Sequence, residues 1–366
     1  MVGVQQACAR IGRVTGKGLA GNMLEHSRRW LYPVVGLLVL ANVVNLAADI
    51  AAMGAAMQMV AGGPQLAWAG LCTAGSLLLE VLISYPRYVK VLKWLTLSLF
   101  AYVAAMFTTH VSWGGVVAGL VPHVHLGATH LSLLVAILGT TISPYLLFWQ
   151  ASQEAEDEED DPAEKPLRAA PDHARGQLRR IRIDTWVGMV FSQVVAICIL
   201  ICAAATLNAA GITDIQSAPQ AAEALRPVAG RFAFLLFALG IVGTGLLAIP
   251  VLAGSAAFAV GEAMRWPVGL ELKYYEAKGF YGVLGAATIL GFALNAIGVN
   301  PMKALVLSAV VNGVCAVPIL VVTMRLGASR AVMGPFVFPR RLRVTGWVAT
   351  AVMGLAAVGM FATLGK

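Results

Sequence analysis

Charge is what this sequence has least of. Asp, Glu, Lys and Arg make up only 12% of 366 residues, hydrophobic residues make up 59%, and mean hydropathy is +0.78. Soluble domains carry about twice that charge density, so a water-borne globule is excluded and the chain reads as an integral membrane protein. Cysteine is also sparse. Cys8, Cys72, Cys198, Cys202 and Cys315 form neither a CxxC pair nor a zinc-like spacing, and most lie inside apolar runs. They read as small packing residues with no redox role. The first residues show no basic–apolar–cleavage pattern, so no removable signal peptide is expected. Ten-residue alternating segments are missing as well, which excludes a barrel and leaves helices as the spanning elements.

Apolar stretches long enough to cross about 30 Å of hydrocarbon recur roughly at 31–60, 65–85, 91–109, 128–150, 184–206, 231–261, 279–298, 303–324 and 344–364. Nine spans place 22 of the 26 Lys and Arg on one side. The other side keeps only Arg226, Arg231, Lys303 and Lys366. A miscounted span would switch every later loop to the opposite side and destroy that bias. By the positive-inside rule the N-terminus is cytoplasmic and the C-terminus external. The net charge of +8 is therefore topology, and nucleic acid is not an expected partner.

Polar residues within the spans are the informative ones, because lipid makes them costly. Asn42, Asn45 and Asp49 share one helical face at spacings of three and four. The asparagines read as interhelical hydrogen-bonders, while Asp49 stands open between a structural and a functional role. Glu80 lies about two turns from Arg87 and reads as a snorkelling structural carboxylate. Gly240, Gly243 and Gly245 allow close helix approach, and Pro250 predicts a kink. Asn312, one turn from Ser308, reads equally as a site ligand or as packing glue. The histidines His110, His123, His125 and His130 have no Asp or Cys partner in sequence and read as solvated. The acidic run from Glu154 to Asp161, followed by the Pro-, Ala- and Arg-rich 162–182, reads as the start of a solvated linker.

The fourth span is interrupted at its centre. In "ILGTTISPYLLFWQASQEAEDEEDD" (137–161), Pro144 removes an amide donor, while Gly139, Thr140, Thr141 and Ser143 supply flexibility and oxygens. Secondary transporters use such breaks to present carbonyls and helix ends to substrates and ions. An ordinary proline kink with self-bonded hydroxyls is the competing reading.

The stretch "LGTTISPYLLFWQASQE" resembles the sixth helix of the NRAMP divalent-metal transporter superfamily, in a bacterial branch that reads S-P-Y where typical members read M-P-H. Further stretches agree in order. "ARIGRVTGKGLAGN" (9–22) resembles the loop after the second helix, and "NLAADIAAMG" (45–54) the third helix. "YPRYVKVLKWLTLSLFAYV" (85–103) resembles the fourth-to-fifth connection and "NPMKALVLSAVVNGVCAVPIL" (300–320) the tenth helix. The resemblance implies an all-α polytopic protein with the LeuT-like inverted-repeat fold, its nine spans matching family helices three to eleven. It also implies uptake of a divalent metal ion as substrate, usually coupled to protons, with no enzymatic activity and no cofactor. The family's first helix, which carries an Asp-Pro-Gly-type break, has no counterpart here, so the chain is expected to be an N-terminally truncated version.

On that reading residues 1–29 are a cytoplasmic segment holding the remnant of the second helix, and 30–109 the three-helix remainder of the first repeat. Residues 110–127 form an outer loop. The second repeat occupies 128–325, broken at 139–144, with a cytoplasmic loop at 152–182. A further cytoplasmic loop, 326–343, precedes the final helix, 344–366. The implied metal-site residues are Thr140, Ser143 and Asn312. Asp49 and Tyr145 are expected in the path or its coupling. Ser143 stands where the family has a soft methionine ligand; a thioether favours softer transition metals, whereas hydroxyl and carbonyl oxygens suit hard Mg²⁺ or Mn²⁺, within an expected substrate class of Mn, Fe or Mg. Ala309 replaces a glutamine, Ala52 a glutamate and Tyr145 a histidine, so the proton machinery is thinned. The expected function is a divalent-cation transporter-like protein of the inner membrane. The alternatives are a non-transporting fragment or sensor of the same family, and a LeuT-fold carrier of amino acids or other organic solutes.

Overall fold

The computed structural model describes residues 1–82, 90, 94–108, 111–119, 127–159, 164–208, 211–212, 214–298 and 300–364. Helices dominate, and no strand occurs among the described residues. Those of eight residues or more are, in chain order, α1 (Val2–Thr15), α2 (Leu19–His26), α3 (Arg28–Ala61), α4 (Gln65–Leu82), α5 (Phe100–Thr108) and α6 (Ala128–Thr141). There follow α7 (Pro144–Glu159), α8 (Ala174–Ala203), α9 (Ala233–Met264), α10 (Lys278–Asn295), α11 (Pro301–Ala328) and α12 (Arg340–Leu364).

Seven of the nine expected spans are helical segments long and apolar enough to cross a bilayer: α3, α4, the α6–α7 pair, α8, α9, α11 and α12. The expected span at 91–109 falls partly outside the described residues. Its described part is a 3₁₀ turn, Leu95–Leu99, followed by α5. The span at 279–298 is α10, which is long enough but is held below the others in hydropathy by its terminal Lys278 and Asn295 and by its glycines. His110, His123 and His125 lie outside the described residues.

The helix α3 is the central post and packs against α4, α9, α10 and α11. Its 34 residues run through Pro33 near the N-terminal end, where one missing amide donor is cheapest. Likewise α9 continues through Pro250 and α11 through Pro318. Lipid offers no competing partner for the freed carbonyls, and packed neighbours on both sides hold these helices in one piece. A very close backbone approach joins α6 to α11. A Cβ at Gly139 would lie 2.1 Å from the Ala309 carbonyl, and one at Gly313 would lie 2.4 Å from the Val135 carbonyl. Glycine at both positions lets the two backbones touch, as small residues do where helices associate in lipid.

One expectation fails at the basic side. The first residues of the acidic run do not open a solvated linker: α7 continues to Glu159, and α8 begins at Ala174. Glu154, Glu156 and Glu158 are buried. Their two-residue spacing turns them to different sides of the helix, and α7 emerges between layers that cover both. Arg180 meets Glu154 at 2.5 Å on one side. On the other, Glu156 accepts from the amides of Leu270 (2.5 Å) and Glu271 (3.2 Å) in the α9–α10 connection. Charge density in the sequence signalled solvent, whereas partners remote in sequence made burial possible.

Candidate functional site

The break between α6 and α7 is two residues wide. Ile142 takes φ −119° and ψ 78°, and its amide still bonds Leu138 at 2.8 Å. Pro144 has no N–H, so the carbonyl of Thr140 receives no bond from four residues on. The Ser143 hydroxyl takes over that task. It is buried, donates to the Gly139 carbonyl at 2.8 Å and lies 3.3 Å from the Thr140 carbonyl. A single proton cannot serve both well, and the nearer carbonyl takes most of it. The Thr140 carbonyl is left with spare acceptor capacity at the interruption.

The hydroxyls beside it are turned inward on their own helix. Thr140 Oγ1 donates to Ile137 at 2.9 Å, and Thr141 Oγ1 to the same carbonyl at 2.7 Å. Each keeps oxygen lone pairs, and Thr140 is exposed. Tyr145, one residue into α7, is within hydrogen-bonding reach of the Ser143 side chain and within electrostatic reach of the Asp49 carboxylate. Asp49 is half-buried and accepts no hydrogen bond among the described residues. Ser143 and Tyr145 therefore stand together at the break, with Thr140 on the adjoining turn and Asp49 within electrostatic reach of Tyr145.

Asn312 is placed differently. It is buried and engaged in a reciprocal amide pair with Asn45: Asn45 Nδ2 donates to Asn312 Oδ1 at 2.7 Å, and Asn312 Nδ2 donates to Asn45 Oδ1 at 2.9 Å. That pair ties α11 to α3. Asn42, a turn earlier, ties α3 to α9 by donating to the Leu252 carbonyl (2.8 Å) and to Ser255 Oγ (2.7 Å). Asn42 and Asn45 act as interhelical glue, as expected of them, and Asn312, expected equally as a ligand or as glue, makes the partner of Asn45. Sequence reasoning did not foresee that Asn45 would be the partner of Asn312, because their separation of 267 positions carries no local signal.

No group of three or more His, Cys, Asp and Glu converges among the described residues. A cation at the break would therefore meet carbonyl and hydroxyl oxygens with Asp49 as the nearby charge. That donor set suits a hard or borderline divalent ion.

A second polar constellation lies at the base, beneath α2. The carboxylate of Glu262, at the end of α9, accepts from the Gly21 amide at 2.7 Å, and the amides of Gly18 and Ala20 also face it. Ser152 of α7 donates to its other oxygen at 3.2 Å. A carboxylate at a helix N-terminus satisfies otherwise orphaned amides and meets the positive end of the dipole. Gly18 is required there, because a Cβ would lie 2.0 Å from Glu262 Oε1. Glu25, on the same face, pairs with Lys17, and that ammonium holds its carboxyl below the ordinary range. Arg13 is fully buried and pairs with Glu164, while its Nε and Nη1 find no partner. Burial holds its guanidinium below its ordinary pKa. Sequence reading missed Glu262. The only signal was a lone carboxylate two residues inside the end of a long apolar helix.

The family model described as natural resistance-associated macrophage protein-like matches residues 1–363. A divalent metal cation transporter MntH of Mycobacterium tuberculosis is 28% identical over 366 residues, covering 97% of this chain and 79% of that protein. The MntH of Deinococcus radiodurans is 26% identical over 361 residues, covering 96% and 77%. The crystal structure of the Eremococcus coleocola manganese transporter in complex with an aromatic bis-isothiourea substituted compound superposes with TM-score 0.72 at 18% identity. The match covers 99% of this chain and 78% of that one. A single-site mutant of the same transporter gives 0.73. The fold is thus the LeuT-like all-α fold of that transporter, and the chain belongs to the Nramp family of multi-pass membrane proteins.

Proposed function

We propose that this protein moves a divalent metal cation of the Mn, Fe or Mg class across the inner membrane, past the break between α6 and α7. The observation that carries the reading is the interrupted helix itself. Ser143 substitutes for missing backbone donors, the Thr140 carbonyl keeps acceptor capacity, and Asp49 and Tyr145 stand alongside. Relatives named as divalent metal cation transporters, of whose lengths this chain covers 77% and 79%, support the substrate class. In this reading Thr140 and Ser143 offer oxygen to a partly dehydrated ion, Asp49 supplies the compensating charge, and Tyr145 lines the path. Asn312 acts in it through Asn45, holding α11 against α3 beside the path. The 22-to-4 distribution of cations supports a cytoplasmic N-terminus and an external C-terminus.

The test is Mn²⁺ or Mg²⁺ uptake into proteoliposomes holding the full chain. Ser143→Trp fills the break with an indole and is expected to abolish uptake, and Asp49→Asn to lower it at least tenfold. Undiminished uptake by Ser143→Trp removes residue 143 from the path. Wild-type protein that carries no divalent ion leaves the non-transporting family module as the reading.

A further inference from the structure

A groove of about 780 Å³ runs between α1, α8 and α12, and its chemistry changes along its length. One end is lined by five guanidinium groups, those of Arg10, Arg175, Arg179, Arg182 and Arg341, and none of the lining residues is acidic. Arg10 Nε donates to the Phe336 carbonyl at 3.1 Å, which leaves its terminal nitrogens available. The side chains of Arg175, Arg179, Arg182 and Arg341 are exposed and make no ion pair or hydrogen bond among the described residues. Five cations converging without a carboxylate repel one another, so the fold alone does not account for them.

The other end is mostly apolar, with the Met1 amino group and Thr345 its polar members. Along α8 the positions 175, 179, 182 and 186 fall on one helical face, and the last is Trp186, 53% exposed. Eleven residues of helix separate the first arginine from the indole by about 16 Å. Along α1 the lining runs the opposite way in sequence, from Arg10 through Gln6 to Gly3. The two gradients coincide in space, because Gln193 of α8 reaches the Met1 sulfur at 3.5 Å, beyond the apolar end. The flank of α8 past Trp186 exposes Val187, Val190, Phe191 and Val194. In a membrane protein such a face is covered by lipid.

We propose that this groove is a binding site for one anionic phospholipid, with the phosphate among the arginines and the first part of an acyl chain along Gly3, Leu342 and Trp186. Guanidinium presents planar paired donors that match phosphate oxygens. Basic pockets between spanning helices bind anionic headgroups, and tryptophan sits at headgroup depth. A zwitterionic lipid brings its own ammonium into a site that already holds five cations, so it is disfavoured. A free phosphate uses only the basic end and leaves the apolar end unexplained.

The full chain, purified from nanodiscs of equal phosphatidylglycerol and phosphatidylcholine, is expected to retain phosphatidylglycerol roughly tenfold over phosphatidylcholine by native mass spectrometry. Arg175→Gln/Arg179→Gln/Arg182→Gln is expected to bring the ratio close to one. Arg330→Gln/Arg340→Gln/Arg343→Gln, which removes the same charge outside the groove, is expected to keep the enrichment. Equal retention of both lipids by the wild type overturns the site, as does unchanged enrichment in the groove variant. Equal loss in the control variant reduces it to surface charge, and displacement by millimolar inorganic phosphate reduces it to a simple anion site; either overturns it. A second measurement does not depend on the triple variant folding. Brominated phosphatidylglycerol is expected to quench tryptophan fluorescence more than brominated phosphatidylcholine, with the excess lost in Trp186→Phe. Equal quenching by the two lipids, or an excess that survives Trp186→Phe, overturns the proposal.

Discussion

The hydroxyls within the spans and the charged groups at the base satisfy their hydrogen bonds in opposite ways, while the asparagines Asn42, Asn45 and Asn312 reach across helices. Within the spans the hydroxyls bond to their own helix: Ser143 to Gly139, Thr140 and Thr141 to Ile137, Thr288 to Leu284. At the base, charged groups reach across the chain. Glu262 holds α2, Glu156 holds the α9–α10 connection, Glu154 takes Arg180, and Arg13 takes Glu164. Self-bonded hydroxyls cost little and leave oxygen lone pairs free, which suits a surface that an ion must leave as readily as it enters. Cross-chain charge pairs commit both partners, which suits a foundation. The comparison teaches that polarity in one membrane protein divides into groups that bind the fold and groups that the fold keeps available.

Breaking the foundation is expected to have the largest effect. Arg13→Ala leaves Glu164 without its partner and empties a fully buried position. It should destabilise the protein by about 3–5 kcal/mol, read as a lowered thermal midpoint in detergent. Glu262→Leu removes the acceptor for Gly21 and Ser152, with an expected loss of about 2–3 kcal/mol. Glu262→Gln should lose less, because an amide oxygen still accepts. Gly139→Ala probes the joint between the regions. Its methyl meets the Ala309 backbone, and about 1–3 kcal/mol of overpacking strain is expected, together with impaired uptake. The Asn45–Asn312 pair should give a coupling of about 0.6–1.7 kcal/mol in a double-mutant cycle with alanine. A coupling near zero would return Asn312 to the candidate ligands. Ser143→Ala is the smallest in stability, about 0.5–1.5 kcal/mol, and should alter uptake more than the melting temperature. Equal damage to both would place Ser143 with the foundation.

Much of the fold was legible because hydropathy and charge asymmetry act locally. A span needs about twenty apolar residues in a row, so 31–60 and 303–324 could be read directly, and the proline within "TTISPY" marked the break to within a residue or two. The site was less legible. Asn45 and Asn312 each looked like either glue or ligand until their separation of 267 positions closed into one pair. Glu154 to Glu158 looked solvated because an acidic run in isolation is solvated, and only Arg180 and the amides of residues 270 and 271 make its burial favourable. Glu262 passed unnoticed because its partners are backbone amides, which every residue carries.

By itself the sequence determined the solvent, most of the spans, the place of the interruption and the family. These depend on composition, spacing and ordered motifs along the chain. The tertiary structure decided which polar groups are spent on packing and which stay free. It brought Tyr145 into reach of Ser143 and Asp49, paired Asn312 with Asn45, buried Glu154, Glu156 and Glu158, and drew five arginines to one groove. The physical reason is that hydrophobic burial sums over neighbours in sequence, whereas hydrogen bonds and ion pairs depend on which two groups meet.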